Sequence, residues 1–356
     1  MPFHHMDILP NDTLKPCCKF LEELPYDNIE NKIDVHRDVF FENIRNSLKQ
    51  GITVKGCQQC YDSEQHSNKS FRTRMLDKFK ERTGKEFEMP DTSALYSINI
   101  ALSNLCNSKC RMCSPEYSTS WYSDAKKLGI QIPKGPISKN DIIDSISASS
   151  LYSLSFVGGE PMMEQERIIK LLKQCNLENL NFIVTTNGTL LPNSELVSLL
   201  KKCKNVEIDL SIDTYGKLND FLRKGGQWDN INYNLNWYYN NFPKIKMNTA
   251  ISIYNINLIS ELLNYISEYF PNVIHNHLIV SKPDWMSPKN LPESVKDLVR
   301  KKIENIEIPE IGVILNEMSK RGNYENFKNM DLKLNNVRNE DWKHLNTELT
   351  AWLNNF

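Results

Sequence analysis

An α/β fold, a largely parallel sheet covered by helices, is what the sequence predicts for residues 93–285, and three observations predict it. From Ser93 to about Ser281, short alternating or β-branched runs take turns with helix-period stretches, six times over. Glycines, hydroxyls and carboxamides gather at the downstream ends of the strand-like runs, where parallel α/β architectures bind ligands. The first of those runs leads directly into three cysteines within eight residues, Cys106-Asn107-Ser108-Lys109-Cys110-Arg111-Met112-Cys113.

Taken in order, the first strand is Ser97-Ile98-Asn99-Ile100-Ala101-Leu102, and helices are expected near Ser118–Lys127 and Lys139–Ser147. The second strand, Leu151 to Val157, ends in Gly158-Gly159-Glu160-Pro161, and a helix follows through Ile168, Ile169, Leu171 and Leu172. Strand three, Asn181 to Thr185, runs into Thr186-Asn187-Gly188-Thr189; Asn193 then offers a side chain suited to cap the next helix. Strand four, Val206 to Asp213, carries Ser211 and Asp213 at its end. A helix near Trp228–Tyr239 precedes strand five, Ile245 to Ile253. Leu258, Leu262 and Ile266 make one apolar helical stripe before strand six, Val273 to Val280. His275 and His277 alternate on one face of that strand. They are candidates for a substrate site at the sheet's open end, or satisfied structural residues.

Two flanks complete the domain plan. Residues 1–92 hold their own cysteines: a strand at Asp7–Leu9 turns at Pro10-Asn11-Asp12, then come Cys17-Cys18 and, forty residues on, Cys57-Gln58-Gln59-Cys60. Between them Val39 to Leu48 has helical spacing. Residues 286–356 are expected to be a helical extension, with helices at Leu291–Ile306 and Asp341–Leu353 joined by polar Asn/Lys-rich segments; Trp342 and Trp352 would dock the last helix.

Three thiols on one loop can hold one inorganic object. A [4Fe–4S] cluster ordinarily takes four cysteines, so a three-cysteine loop leaves one iron open to a non-protein ligand. A zinc site is the alternative, although a closed one takes four ligands, usually as two separated pairs. At the N-terminal pairs, four thiolates suit zinc and iron–sulfur chemistry alike, and adjacent Cys17 and Cys18 diverge on an extended chain. Cys175 and Cys203 each close a covering helix and read as small buried hydrophobes.

The CxxxCxxC spacing of Cys106, Cys110 and Cys113 resembles the cluster loop of the radical S-adenosylmethionine (SAM) enzymes, with Met112 where that family usually has an aromatic residue. The resemblance covers about residues 7–285. It implies a partial (β/α)6 radical SAM barrel and a [4Fe–4S] cluster whose open iron is chelated by SAM. It further implies reductive cleavage of SAM to a 5′-deoxyadenosyl radical, which abstracts hydrogen from the substrate. Residue by residue, it implies that Gly158, Gly159 and Glu160 form the turn at the SAM amino group. Thr186 and Asn187 end a SAM-binding strand, Ser211 and Asp213 reach the ribose, and Arg223 pairs with the carboxylate. No protein side chain is assigned the chemistry itself.

Residues 1–92 are similar to the twitch and SPASM modules that hold auxiliary clusters in such enzymes, on Cys17-Cys18, Cys57-x-x-Cys60, Glu64, Ser70 and Arg72. A second [4Fe–4S] cluster on Cys17, Cys18, Cys57 and Cys60 is implied. Here the module precedes the barrel, and Met1 and Pro2 stand where relatives tend to carry a further cysteine.

Charge and composition narrow the partners. At 356 residues the chain can bury one large core with appended modules or two domains. A net charge of −1 with mixed signs carries no nucleic-acid footprint. No apolar run approaches a membrane span, and Met1 to Met6 lack the pattern of a signal peptide. Nine cysteines in that setting point to a reducing cytoplasm. The expected partners are a reductant such as flavodoxin or ferredoxin and a peptide or protein side chain as substrate. A small metabolite is the second reading, and a non-catalytic iron–sulfur electron-transfer or binding protein the rival from another class.

Overall fold

The structure is a computed structural model that describes residues 3–11, 13–25, 34–65, 70–83, 86, 88, 95–133, 148 and 151–355; the helix expected at Lys139–Ser147 and the positions of Met1 and Pro2 lie outside them. Two compact units divide the chain: Met1–Asn104 with Gly135–Ile183 and Asn193–Asn205, and Leu105–Lys134 with Val184–Pro192 and Val206–Phe356.

In the first unit, β1 (His5–Ile8) pairs antiparallel with β2 (Thr13–Lys15), which pairs with β3 (Leu24–Pro25). On its other side β1 runs parallel to β4 (Ser97–Ala101), and β4 parallel to β5 (Ser153–Val157). The period of two sorts the side chains. Met6, Ile8, Ile98, Ile100, Leu154 and Phe156 are buried on one face, each contributing about 1.5–3 kcal/mol by leaving water. His5, Asp7, Ser97, Asn99, Ser153 and Ser155 take the other. The helix Val39–Lys49 forms where expected, its Phe40 N–H donating to Asp38 at 3.0 Å. The helix Ser194–Leu200 starts at Asn193, whose carboxamide oxygen accepts from Leu196 N at 2.9 Å. A third strand-following helix is Gln165–Leu172. β6 (Asn181–Thr186) is shared in sequence between the two units.

In the second unit, β7 (Asn205–Ser211), β8 (Lys244–Ile251) and β9 (Ile274–Ile279) are parallel, with Leu210 opposite Met247 and Asn248 opposite Asn276. Ile208, Leu210, Met247, Thr249 and Ile251 form the covered face. Glu207, Asp209, Lys246, Asn248 and Asn276 alternate onto the polar one. The helices Gly216–Leu222, Trp228–Asn241 and Ile259–Tyr269 follow the strands in order.

The C-terminal segment contains more helix than its polarity predicts. Besides Glu293–Ile303 and Thr347–Asn354, helices form at Ile311–Ser319 and Tyr324–Arg338, within the segments read as polar joins. The second of these buries Phe327, Asp331, Leu334 and Arg338 at helical spacing. Two of the four are charged, which conceals the stripe from a reading of apolar periodicity. Trp342 is buried and Trp352 packs partly buried on the same core. Among the described residues no helix is long and apolar enough to cross a membrane.

Candidate active site

The loop Cys106–Cys113 is held by its backbone, not by its sulfurs. Lys109 N donates to Lys224 O at 2.7 Å and Arg111 N to Leu222 O at 2.8 Å. Ser118 and Ser120 hydroxyls donate to Ser108 O and Cys106 O, both at 2.6 Å, and the Trp121 indole N–H donates to Cys110 O at 2.8 Å. Gly225, at φ +118°, allows the close approach on the other side: a Cβ there would lie 2.3 Å from Asn107 O.

Donors then face the sulfurs. Ser108 N lies 3.4 Å from Cys106 Sγ, Asn187 Nδ2 4.0 Å from the same atom, and Arg223 Nη1 3.8 Å from Cys110 Sγ. Burial pushes the Cys110 thiol up, and burial with the neighbouring Cys110 pushes Cys113 to about 12. A metal would have to displace those protons. Among the described residues no three His, Cys, Asp or Glu side chains converge as one metal ion requires. Three thiols on one loop, two of them faced by N–H donors, are a donor set that fits a [4Fe–4S] cluster with one iron left open.

The residues at the strand ends are firmly engaged. Asn187 Nδ2 donates to Asn107 Oδ1 at 2.8 Å and to Ser108 Oγ at 3.1 Å, while its Oδ1 accepts from Thr189 N at 3.0 Å. This carboxamide clamps the cysteine loop. Thr186 Oγ1 accepts from Gly188 N at 3.2 Å. Asp213 Oδ1 accepts from Ala250 N at 2.8 Å and from Arg223 Nη2 at 2.9 Å. Arg223 Nε comes within 2.8 Å of Oδ2, off the line of a hydrogen bond, so the two atoms are charge-paired only. Burial opposes the Arg223 charge, but the Asp213 charge beside it more than compensates and raises its pKa. Ser211 is half-buried at the end of β7. In the first unit, Gly158 has φ +104°, Gly159 N donates to Ser103 O at 3.0 Å, and the buried Glu160 carboxylate accepts from Met162 N at 3.0 Å.

His275 and His277 stack at 4.1 Å between ring centroids, but on the covered face with Met247 and Thr249, not on the polar face of Asn248 and Asn276. The expectation that they point toward the sheet's ligand side is corrected accordingly. Alternation placed them on one face without saying which. Thr249 gives its hydroxyl proton to Ile212 O at 2.6 Å, so His275 Nε2, 2.7 Å away, must be the donor to Thr249 Oγ1. His277 Nδ1 meets Glu310 Oε2 at 3.3 Å. Burial, then the neighbouring His277, pulls the His275 pKa down to about 3.

Asp209, which sequence patterns did not single out, lies on the polar face. Asn276 donates to Asn248 Oδ1 at 3.0 Å, Asn248 bonds Asp209, and Asp209 Oδ1 is buried without a partner among the described residues. Lys244 and Lys246 are both held by Glu207. Burial raises the Asp209 pKa from 3.8 to about 6, against the pull of Lys246. The native state therefore binds the extra proton, and this group's contribution to stability falls as pH rises from 3.8 to about 6. Asp209→Asn should raise the melting temperature relative to wild type at pH 8 and not at pH 3. An equal difference at both pH values, in paired thermal melts, would contradict the assignment.

The N-terminal cysteines come together within the first unit. Phe20 N donates to Cys17 O at 3.1 Å, closing the turn after Cys17-Cys18, and the Phe20 ring lies on Gly56, one residue before Cys57. Leu21 N donates to Gly56 O at 3.0 Å. A cavity of about 350 Å³ is lined by Cys17, Cys57 and Cys60, with Phe3, Phe20 and Arg72. The charge of Cys18 acts on Cys17, and that of Cys60 on both Cys18 and Cys57. Burial pushes Cys17 up to about 12. Glu64, Ser70 and Arg72 also meet: Ser70 Oγ donates to Glu64 Oε1 at 2.5 Å and Arg72 Nε at 3.2 Å, tying the helices Gln58–Gln65 and Phe71–Thr83 together. Cys175 and Cys203 bond carbonyls one helical turn back, and burial lifts their thiols to about 11 and about 12. They are inert.

Sequence reasoning missed Arg111, Asp124, Trp121 and Arg338, all buried near the loop. An arginine between two cluster cysteines was the available signal, since a buried guanidinium requires partners.

Comparison with known proteins follows the same lines. Residues 100–266 match the family model described as the Radical SAM superfamily. The chain is 27% identical over 184 residues to an S-adenosylmethionine-dependent nucleotide dehydratase of Flammeovirga pacifica, covering 49% of this chain and 59% of that protein. It is 26% identical over 125 residues to a GTP 3',8-cyclase of Aliarcobacter butzleri, covering 34% and 35%. The chain thus spans less than two thirds of either relative. Among solved structures it resembles Streptococcus suis SuiB bound to S-adenosylmethionine, with 18% identity, 80% of this chain and 60% of that one covered, and a TM-score of 0.39.

Proposed function

We propose that this chain, in which residues 100–266 are a radical SAM superfamily domain, reductively cleaves SAM and removes a hydrogen atom from a substrate. The observation that carries the reading is the loop of Cys106, Cys110 and Cys113, with Ser108 N and Asn187 turned toward the Cys106 sulfur and Arg223 toward that of Cys110. These three cysteines would hold a [4Fe–4S] cluster, which supplies one electron to the sulfonium of SAM and so yields a 5′-deoxyadenosyl radical. The protein's part is to orient and to exclude water. Asn187 and the backbone bonds of the loop keep the thiolates apart and fixed. Arg223, held by Asp213, is the cation we assign to the SAM carboxylate; Ser211, Asp213 and Thr186 take the strand-end contacts. Gly158, Gly159 and Glu160 keep the role of the turn at the SAM amino group. A flavodoxin or ferredoxin is the proposed reductant.

We assign residues 1–92 to an auxiliary module, 93–285 to the core and 286–356 to the helical extension. Cys17, Cys18, Cys57 and Cys60 would hold a second [4Fe–4S] cluster. Three thiols lining one cavity of about 350 Å³, with Cys18 beside Cys17, support this. The wild type should then bind about eight irons, and Cys57→Ala with Cys60→Ala about four, with SAM cleavage still measurable. One zinc beside four irons in anaerobic metal analysis would replace the second cluster with a structural staple.

A peptide or protein side chain is the substrate we favour, from the resemblance of residues 1–92 to modules that accompany peptide modification. A nucleotide is the second reading, favoured by the names of the dehydratase and cyclase relatives. The test of SAM binding is electron paramagnetic resonance of the reduced protein with and without SAM. A shift of the spectrum is expected, and an unchanged spectrum counts against the site.

A further inference from the structure

We propose that Arg338, the last residue of the helix Tyr324–Arg338, supplies the cluster site with its counter-cation, setting the reduction potential of a cluster held by Cys106, Cys110 and Cys113. This inference rests on the reading of that loop as a cluster-ligand set.

The Arg338 side chain has no solvent exposure. Its Nε donates to Asp124 Oδ2 at 2.8 Å, and its guanidinium lies 4.6 Å over the Trp121 ring, the same indole whose N–H bonds Cys110 O. Nη1 and Nη2 have no partner among the described residues. Asp124 cannot balance the charge alone, because Lys109 of the cysteine loop takes its other oxygen at 2.9 Å. Glu340 also acts on Arg338 but is paired with Lys224 and Arg111, so the four cations Lys109, Arg111, Lys224 and Arg338 face three carboxylates, Asp124, Asp331 and Glu340, and one positive charge remains.

The other buried arginines of this unit are matched. Arg111 has Asp331 and Glu340, and Arg223 has Asp213. A buried guanidinium with four idle N–H groups is costly unless an anion lies nearby. The charge of Arg338 acts on Cys110 across the intervening packing. An iron–sulfur cluster on three thiolates is such an anion, and nearby charge is one of the levers on its potential. The cation is also fixed in place. Lys224 Nζ donates to Arg338 O at 3.2 Å and pairs with Glu340 at 2.6 Å, and Asn339, at φ +51°, ends the helix immediately after it. Arg338 is thus a positioning residue for electron transfer, contributed by the C-terminal extension.

The test is an anaerobic redox titration of the reconstituted full chain without SAM, followed by electron paramagnetic resonance, with iron analysis alongside. Arg338→Met should retain iron and move the cluster midpoint to a more negative potential. Arg338→Lys should restore most of the wild-type value. Asp124→Asn should move the midpoint the opposite way, because it removes a negative charge. A merely structural role would not make the shift follow the sign of the charge. Arg338→Met with full iron and a wild-type midpoint overturns the proposal. Should Arg338→Met fail to fold or load, Asp124→Asn decides: a midpoint that stays or becomes more negative overturns it too. A wild type that takes up no cluster overturns the reading of the loop, and is recognised before any variant is made.

Discussion

Changing Cys106, Cys110 and Cys113 together to alanine should leave a folded chain that has lost about four irons and all cleavage of SAM. The expectation that it folds comes from the loop's own bonds. Lys109 N and Arg111 N are tied to Lys224 O and Leu222 O, Trp121 to Cys110 O, and Asn187 to Asn107 and Ser108. None of these uses a sulfur atom. The thermal melt of the triple variant without iron should therefore match that of the wild type without iron. Undiminished 5′-deoxyadenosine formation by the triple variant would remove the loop from the account.

Arg111→Met should be among the most destabilising single changes in the second unit, at about 3–5 kcal/mol, the scale for removing one partner of a buried ion pair. Arg111 is fully buried between Cys110 and Met112. Its Nη2 donates to Asp331 Oδ1 and Asn335 Oδ1, both at 2.8 Å, and Nη1 reaches Glu340 at 3.4 Å. The guanidinium also lies 4.2 Å over the Phe221 ring. Among the described residues, methionine would leave Asp331 with Tyr254, Trp342 and Asn335 as donors and no paired cation. The double variant Arg111→Met, Asp331→Leu should recover part of the loss, because it removes the stranded charge as well. Denaturant unfolding of both variants measures the difference; a single variant within 1 kcal/mol of wild type, against the ~3–5 kcal/mol scale above, would contradict the role given to this pair.

These two variants also show what could be read from the chain beforehand. The strands of the core were legible because burial follows period two, as in Ile98–Ile100 and Ile208–Leu210, and local chemistry was legible at Asn193, which caps the helix expected there. Glu64, Ser70 and Arg72 are close in sequence and meet in space. Ion pairs across long separations were not legible. Arg111 and Asp331 are 220 residues apart and Arg338 and Asp124 are 214 apart, and no local periodicity links them. For the same reason the helix Tyr324–Arg338 read as a polar join. Half of its inward face is charged, and those residues pair with partners far away in sequence, Asp331 with Arg111 and Arg338 with Asp124. His275 and His277 were placed on one strand face correctly, but which face is covered depends on the strands paired beside them. Asp209 was invisible because its unusual proton affinity comes from burial, which a sequence does not display.

The most direct measurement is anaerobic incubation of the reconstituted wild type with SAM and dithionite, followed by chromatography for 5′-deoxyadenosine. Its formation, dependent on both reagents and lost in the triple cysteine variant, is the result predicted. A protein that carries its full iron complement and forms no 5′-deoxyadenosine above the background of that variant would contradict the account.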